Sequence, residues 1–220
     1  MRRSRFPVLG TALALALGGG PWGTAFAPPV AAASAVAAQR SVPATIAVEQ
    51  AGDDAIVQHY EQLGGSASFL GTPVGGAYDI AGGRAQDYTA GTIYWSPGTG
   101  AREVHGAIRA RYLALGGPAG FFGFPLTDEN ATPGGGGQYN DFARGTIYWS
   151  PATGAHEVHG AIRARYLALG GPDGFFGFPV TDEKATPAGG GQYNDFARGT
   201  IYWSPATGAH EVHGAIRGRY

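Results

Sequence analysis

Short aromatic runs and one helical stripe take turns along the chain. In the stretch 138–159, "QYNDF" (138–142), "GTIYWS" (145–150) and "AHEVH" (155–159) are three brief runs rich in aromatic and β-branched residues. They predict a three-stranded antiparallel meander. Ala143-Arg144-Gly145 reads as a three-residue connection with glycine in the left-handed position, and Pro151 and Gly154 frame a second turn. The period then changes: in "GAIRARYLALGG", Ile162, Tyr166 and Leu169 fall at i, i+4 and i+7, and Gly170 stands where a helix ends. A helix this short is marginal alone in water, so the stripe must be its docking face on the sheet. An aromatic turn, "GPDGFFGFP", and a loop, "TDEKATPAGGG", complete the pattern.

The pattern recurs. Trp95, Trp149 and Trp203 are 54 residues apart, and residues 108–161 differ from 162–215 only at Ala119/Asp173, Leu126/Val180, Asn130/Lys184 and Gly134/Ala188. A diverged first copy keeps Tyr60, Leu63-Gly64-Gly65, Asp87, "GTIYWSP" and "EVHGA", and is two residues shorter in the loop. A fixed period of this size predicts an array in which each copy buries its apolar face against the next. The fold class expected is α+β and β-rich: three 54-residue repeats, each a short helix plus a three-stranded meander, over units of about 54–107, 108–161 and 162–215, with a partial fourth helix at 216–220. A β-trefoil, another three-fold arrangement, is essentially all-β and does not accommodate the helical stripe.

"FFGFPLTDE" (121–129), "FFGFPVTDE" (175–183) and the diverged "FLGTP" (69–73), each about 20 residues ahead of "GTIYWSP" and "EVHGA", resemble the LGFP repeat of secreted actinobacterial proteins. The resemblance spans roughly residues 54–220. It implies a pseudo-symmetric, propeller-like arrangement and a module that binds cell-wall polysaccharide such as arabinogalactan. Such repeats are often appended to mycolyltransferases, amidases or esterases, but no catalytic domain accompanies them here. Phe122 and Phe176 replace the leucine of the motif, and the first copy has Gly75-Gly76-Ala77 in place of Thr-Asp-Glu.

Composition narrows the functions. Residues 1–40 open with arginines, an apolar run too short to span a membrane, and small residues, the order of a secretory signal peptide and its cleavage region, with a loose likeness to a twin-arginine signal. Residues 41–53 are expected as a flexible lead-in to a repeat domain at 54–220. Four of the 15 Lys and Arg lie in the first forty residues, which leaves 11 against 16 Asp and Glu, a poor match to nucleic acid or to anionic membrane surfaces. With no cysteine, disulfides and thiol chemistry are ruled out, and no cofactor is called for. His156 and His159 point to opposite faces of a strand, an arrangement that does not favour a metal site.

Candidate ligand contacts follow from strand alternation. If Ile147, Trp149 and Val158 face the helix, then Tyr148, Glu157 and His159 face outward together, as do Tyr94, Glu103 and His105 in the first copy and Tyr202, Glu211 and His213 in the third. An aromatic platform flanked by a carboxylate and an imidazole suits sugar recognition. Trp95, Trp149 and Trp203, on the isoleucine face, are core residues first and secondary candidates with Asp141 and Asp195. Asp128-Glu129 and Asp182-Glu183 invite a glycosidase reading. Sequence neighbours rarely reach the opposed geometry it needs, so capping, loop bracing or pairing with Arg163 and Arg165 is expected instead. The function expected is secreted, wall-associated and non-catalytic: polysaccharide retained through three weak sites by avidity. A wall hydrolase or esterase and a structural, protein-binding repeat are the alternatives. On this reading Tyr148→Ala and Tyr202→Ala weaken binding and spare the fold.

Overall fold

The computed structural model describes residues 43–219; the signal-peptide reading of residues 1–40 lies outside them. Helix α1 (Ala44–Gln62) leads into a first sheet of four antiparallel strands in sequential order: β1 (Pro73–Ile80), β2 (Gly83–Tyr88), β3 (Gly91–Ser96) and β4 (Gly100–His105). Helix α2 (Gly106–Ala114) precedes a second sheet of β5 (Asn130–Ala131), β6 (Gln138–Phe142), β7 (Gly145–Ser150) and β8 (Gly154–His159). Helix α3 (Gly160–Ala168) precedes the third, of β9 (Lys184–Ala185), β10 (Gln192–Phe196), β11 (Gly199–Ser204) and β12 (Gly208–His213), and α4 (Gly214–Arg217) follows. The expected repeat of helix and meander is present. Each meander gains an outer strand, two residues long in the second and third units, that forms inside the predicted loop. Each unit is its own four-stranded sheet, and the described units do not close into a propeller.

Each short helix is held between two sheets. Tyr112 of α2, fully buried, stacks on Phe142 of the second sheet (centroids 4.5 Å apart) and meets Tyr94 of the first edge-on at 5.4 Å. Tyr166 of α3 repeats this between Tyr148 (5.5 Å) and Phe196 (4.4 Å). The hydroxyl of Tyr166 donates to the carbonyl of Gly177 at 2.7 Å, and that of Tyr112 to Gly123 at 2.6 Å, so neither burial leaves a polar group unpaired. Ile162, also fully buried, completes the stripe. Burying a side chain of this size stabilises by about 1.5–3 kcal/mol, and the same helical residues serve two sheets at once. Gly170, at φ 94°, ends α3 in the left-handed conformation expected of it.

Two expectations need correction. The hairpin between β6 and β7 turns on two residues, Ala143 and Arg144, because Phe142 pairs directly with Gly145. Gly145 is a strand residue whose φ is not positive. Its glycine is required by space, since a Cβ would lie 2.6 Å from the ring of Phe122 and 2.9 Å from Cβ of His159. Residues 44–53, expected as a flexible lead-in, form the first half of α1. The alanine-rich run supports helix, and Gly52 brings the backbone against Trp95, where a Cβ would sit 2.8 Å from the indole.

Neighbouring units are also joined along the strand edges. β4 is the edge of the first sheet, and its Glu103 N–H donates to Asp128 of the next unit at 2.9 Å. The carbonyl of Glu103 accepts from Nδ2 of Asn140, itself fully buried, at 3.1 Å. Glu157, Asp182 and Asn194 repeat both bonds at 3.1 and 3.0 Å. Each unit thereby caps the open edge of the one before it, the exposed feature that sheet proteins must otherwise protect. Asp128 takes a further bond from His59 of α1 at 2.9 Å, and Asp182 pairs with Arg111 of α2. The Asp-Glu pairs therefore brace the junctions. Their partners are not Arg163 and Arg165, which bond instead to Asp141 and Glu211.

Candidate functional site

The register of β7 against β8 settles which residues share a face. Ile147 lies opposite Glu157, Trp149 opposite Ala155 and Gly145 opposite His159, whereas Thr146 lies opposite Val158 and Tyr148 opposite His156. Directly opposed residues of an antiparallel pair point the same way. Ile147, Trp149, Glu157 and His159 therefore face the preceding helix, and Tyr148, His156 and Val158 face the following one. The expected outward trio is divided between two faces, and both faces are covered. Tyr94 is 3% and Tyr148 4% exposed, Glu103 1% and Glu157 5%; Trp95 is buried and Trp149 half-buried. The third copy is more open, with Tyr202, Trp203 and Glu211 half-buried. In every copy the histidine is the most open of the three: His105 and His159 are half-buried and His213 is exposed.

The buried acids and these histidines form a junction cluster. Glu103 Oε1 accepts from the backbone N–H of Glu129 at 2.8 Å, and Glu103 Oε2 lies 2.8 Å from Nδ1 of His105, whose Nε2 is 3.3 Å from Glu129. Burial lowers His105, but the hydrogen bond and the charges of Glu103 and Glu129 outweigh it, and the imidazole is raised above its usual value. In the next unit the ring is turned, 3.8 Å from Glu157 and 3.4 Å from Glu183, and burial leaves His159 lowered. Burial also pushes the carboxyls of Glu157 and Glu183 up to about 7. These groups sit inside the seam between units, where they set its stability and are closed to a polymer.

A different set of side chains faces solvent between the second sheet and α3. Tyr139 of β6 is half-buried and lies beside Tyr148, ring centroids 6.0 Å apart and planes 34° apart. Asp141, two residues further along the same face, accepts from Arg163 Nη2 at 2.9 Å and from the Thr146 hydroxyl, and Arg163 Nε donates to that hydroxyl at 2.6 Å. Tyr139, Tyr148, Asp141 and Arg163, with Pro133 and Asp173, line an open cleft of about 360 Å³. Its floor is aromatic and its wall carries a carboxylate and a guanidinium, the donor and acceptor set that holds ring hydroxyls over an apolar platform. Burial raises the Tyr148 phenol to about 12, so it stays a neutral donor at all physiological pH.

The third unit repeats the cleft with Tyr193 and Tyr202 at 5.5 Å and Asp195 with Arg217 at 3.2 Å, in a hollow of about 810 Å³. The first unit keeps the ion pair, Asp87 with Arg109 at 3.1 Å, but has the fully buried Ala85 where Tyr139 stands, and Tyr78 donates to Asp87 at 3.2 Å. The array therefore carries two equivalent clefts and one altered. Of the sequence candidates, Tyr148, Tyr202, Trp203, Asp141 and Asp195 belong to them. Tyr139, Tyr193, Arg163 and Arg217 were missed, although the two-residue spacing of Tyr139 and Asp141 on one strand face was available as a signal. Phe69, Phe121 and Phe175, each about half exposed, form a further repeated feature, their rings set at an angle against His105, His159 and His213 with centroids 4.5, 4.7 and 5.1 Å apart.

The LGFP repeat profile matches residues 70–120, 122–174 and 176–220, one match for each aromatic turn and the strands and helix behind it. The chain belongs to the LGFP repeat family. No curated protein compared with the chain matches it. The LGFP matches begin at the aromatic turn, whereas the packed unit begins with its helix; the period is the same and only the cut differs. LGFP repeats are typical of cell-surface proteins, and no helix among the described residues is long and apolar enough to cross a membrane.

Proposed function

We propose that this LGFP-repeat protein is secreted and wall-associated, and that it holds cell-wall polysaccharide of the arabinogalactan type without catalysis. The observation that supports this reading is the recurrence, in two successive units, of a solvent-open cleft with a tyrosine pair below and an aspartate–arginine pair beside it. The clefts sit on one scaffold whose helices are wedged between sheets, so their separation is set by the repeat and little ordering accompanies binding. A polymer with regularly spaced sugars can occupy both, and linked occupancy raises retention by roughly 10²- to 10⁴-fold over one site. The buried carboxyls Glu103 and Glu157 are committed to backbone amides at the junctions, which supports a structural role for them. The test is cosedimentation of the purified protein with actinobacterial cell walls, with release by soluble arabinogalactan. Failure to sediment rejects the reading; sedimentation without release rejects the proposed polysaccharide.

A further inference from the structure

A second hollow adjoins the tyrosine cleft of the second unit. It measures about 410 Å³ and shares Asp141 and Arg163 with that cleft, and its lining also includes Leu126, Thr127, Phe142 and Arg144. Its two cations are in different states. Arg163 is engaged by Asp141 and Thr146, so its charge is largely neutralised. Arg144 is exposed and makes no ion pair with any described residue; its guanidinium lies over the ring of Phe121, 5.5 Å from the centroid. A guanidinium stacked on an aromatic face is held in orientation while its in-plane N–H donors stay available. The hollow thus carries one neutral ion pair and one oriented, unanswered positive charge.

We propose that this hollow receives an oxyanion of the bound glycan, the carboxylate of a uronic acid or a phosphodiester oxygen, with Arg144 as the principal donor. The inference rests on the polysaccharide reading, because hollow and tyrosine cleft share a wall and one ligand would span both. Guanidinium–oxyanion bonds are short, charge-assisted and often bidentate, which distinguishes such a ligand from a neutral sugar. In the third unit Arg198 lies over Phe175 at 5.9 Å and Asp195 pairs with Arg217, so both the stacked guanidinium and the ion pair recur. The first unit has Ala90 at this position and lacks the donor. The ligand class assigned is therefore an anionic wall glycan gripped twice.

The experiment is isothermal titration of the protein with a neutral arabinan oligosaccharide, an oligogalacturonate of matched length and a poly(ribitol phosphate), each at low and high salt. The Arg144→Ala/Arg198→Ala variant is titrated alongside; both side chains are exposed, and its melting temperature reports whether the fold is kept. One of the two anionic ligands should bind roughly tenfold tighter than the arabinan at low salt. That margin should shrink at high salt and vanish in the variant, whose affinity for arabinan stays unchanged. Which anion gains identifies carboxylate or phosphodiester. Equal binding of all three glycans, or equal loss of all three in a folded variant, overturns the oxyanion site and leaves the polysaccharide reading standing. Binding of none overturns both.

Discussion

Asn140→Ala tests the coupling between units. The side chain is fully buried, and its Nδ2 donates at 3.1 Å to two carbonyls, that of Glu103 in the preceding unit and that of Thr127 in its own. Alanine removes both bonds and leaves two carbonyls in a seam too tight to admit water freely. Each buried group left unpaired costs about 1–3 kcal/mol; removing the unbonded, buried Oδ1 of Asn140 offsets part of this, so a net of about 2–4 kcal/mol is expected. For a domain of 150–250 residues, 1 kcal/mol moves the melting temperature by about 2–4 °C, and the fall should be about 5–15 °C. Thermal unfolding followed by circular dichroism measures it, with Asn130→Ala as control. Asn130 donates from an exposed position to the carbonyl of Asp128, and its loss should stay within about 0.5 kcal/mol. In a repeat array the weakened junction can also split one transition into two, because stability is a sum of unit and interface contributions. A shift under 2 °C for Asn140→Ala, or equal shifts for the two variants, would refute the reasoning that this asparagine closes the sheet edge.

Two further outcomes follow from burial. Tyr148→Ala, which the sequence pattern alone casts as harmless to the fold, should destabilise by about 3–5 kcal/mol, since the side chain is 4% exposed and packs edge-on against Tyr166; chemical denaturation measures this, and a loss under 1 kcal/mol would place the ring outside the core. Glu157 and Glu183, raised by burial from 4.5 to about 7, bind more protons folded than unfolded, so their stabilisation is complete below about pH 4.5 and is lost as pH rises through 7. Melting temperature should fall from pH 5 to pH 8, and Glu157→Gln/Glu183→Gln should flatten that fall by up to roughly 3 kcal/mol per group; parallel pH profiles for the two proteins would contradict it.

The repeat, its helix, its meander and the glycine that ends the helix were legible in sequence because each has a local cause. Period and turn chemistry are written in neighbouring residues, as in Ile162, Tyr166 and Gly170. The arrangement of faces was not. Which of Val158 and Glu157 shares a side with Ile147 depends on pairing across the turn at 151–153, and a shift of one position moves every side chain to the other face. Alternation within each strand is local and follows from the sequence; the pairing that brings two strands together is not local. A second reason is architectural: a meander covered on one side would show its other side to solvent, but here each helix serves two sheets, and the face assigned to ligand is core. The clefts escaped for the same cause. Tyr139 and Arg163 lie 24 positions apart, on a strand and on the helix that begins the next unit, and nothing local joins them.

The most direct measurement compares the affinity of the protein for purified wall polysaccharide with that of the Tyr139→Ala/Tyr193→Ala variant. Both rings are half-buried rather than core, so the fold should survive, as near-native melting would verify. Each truncation removes an aromatic contact of about 1 kcal/mol, and linked occupancy compounds the two losses, so affinity should fall by roughly ten- to a hundredfold. Undiminished affinity in a folded variant would contradict the account, for the ligand would then be held somewhere other than the paired-tyrosine clefts.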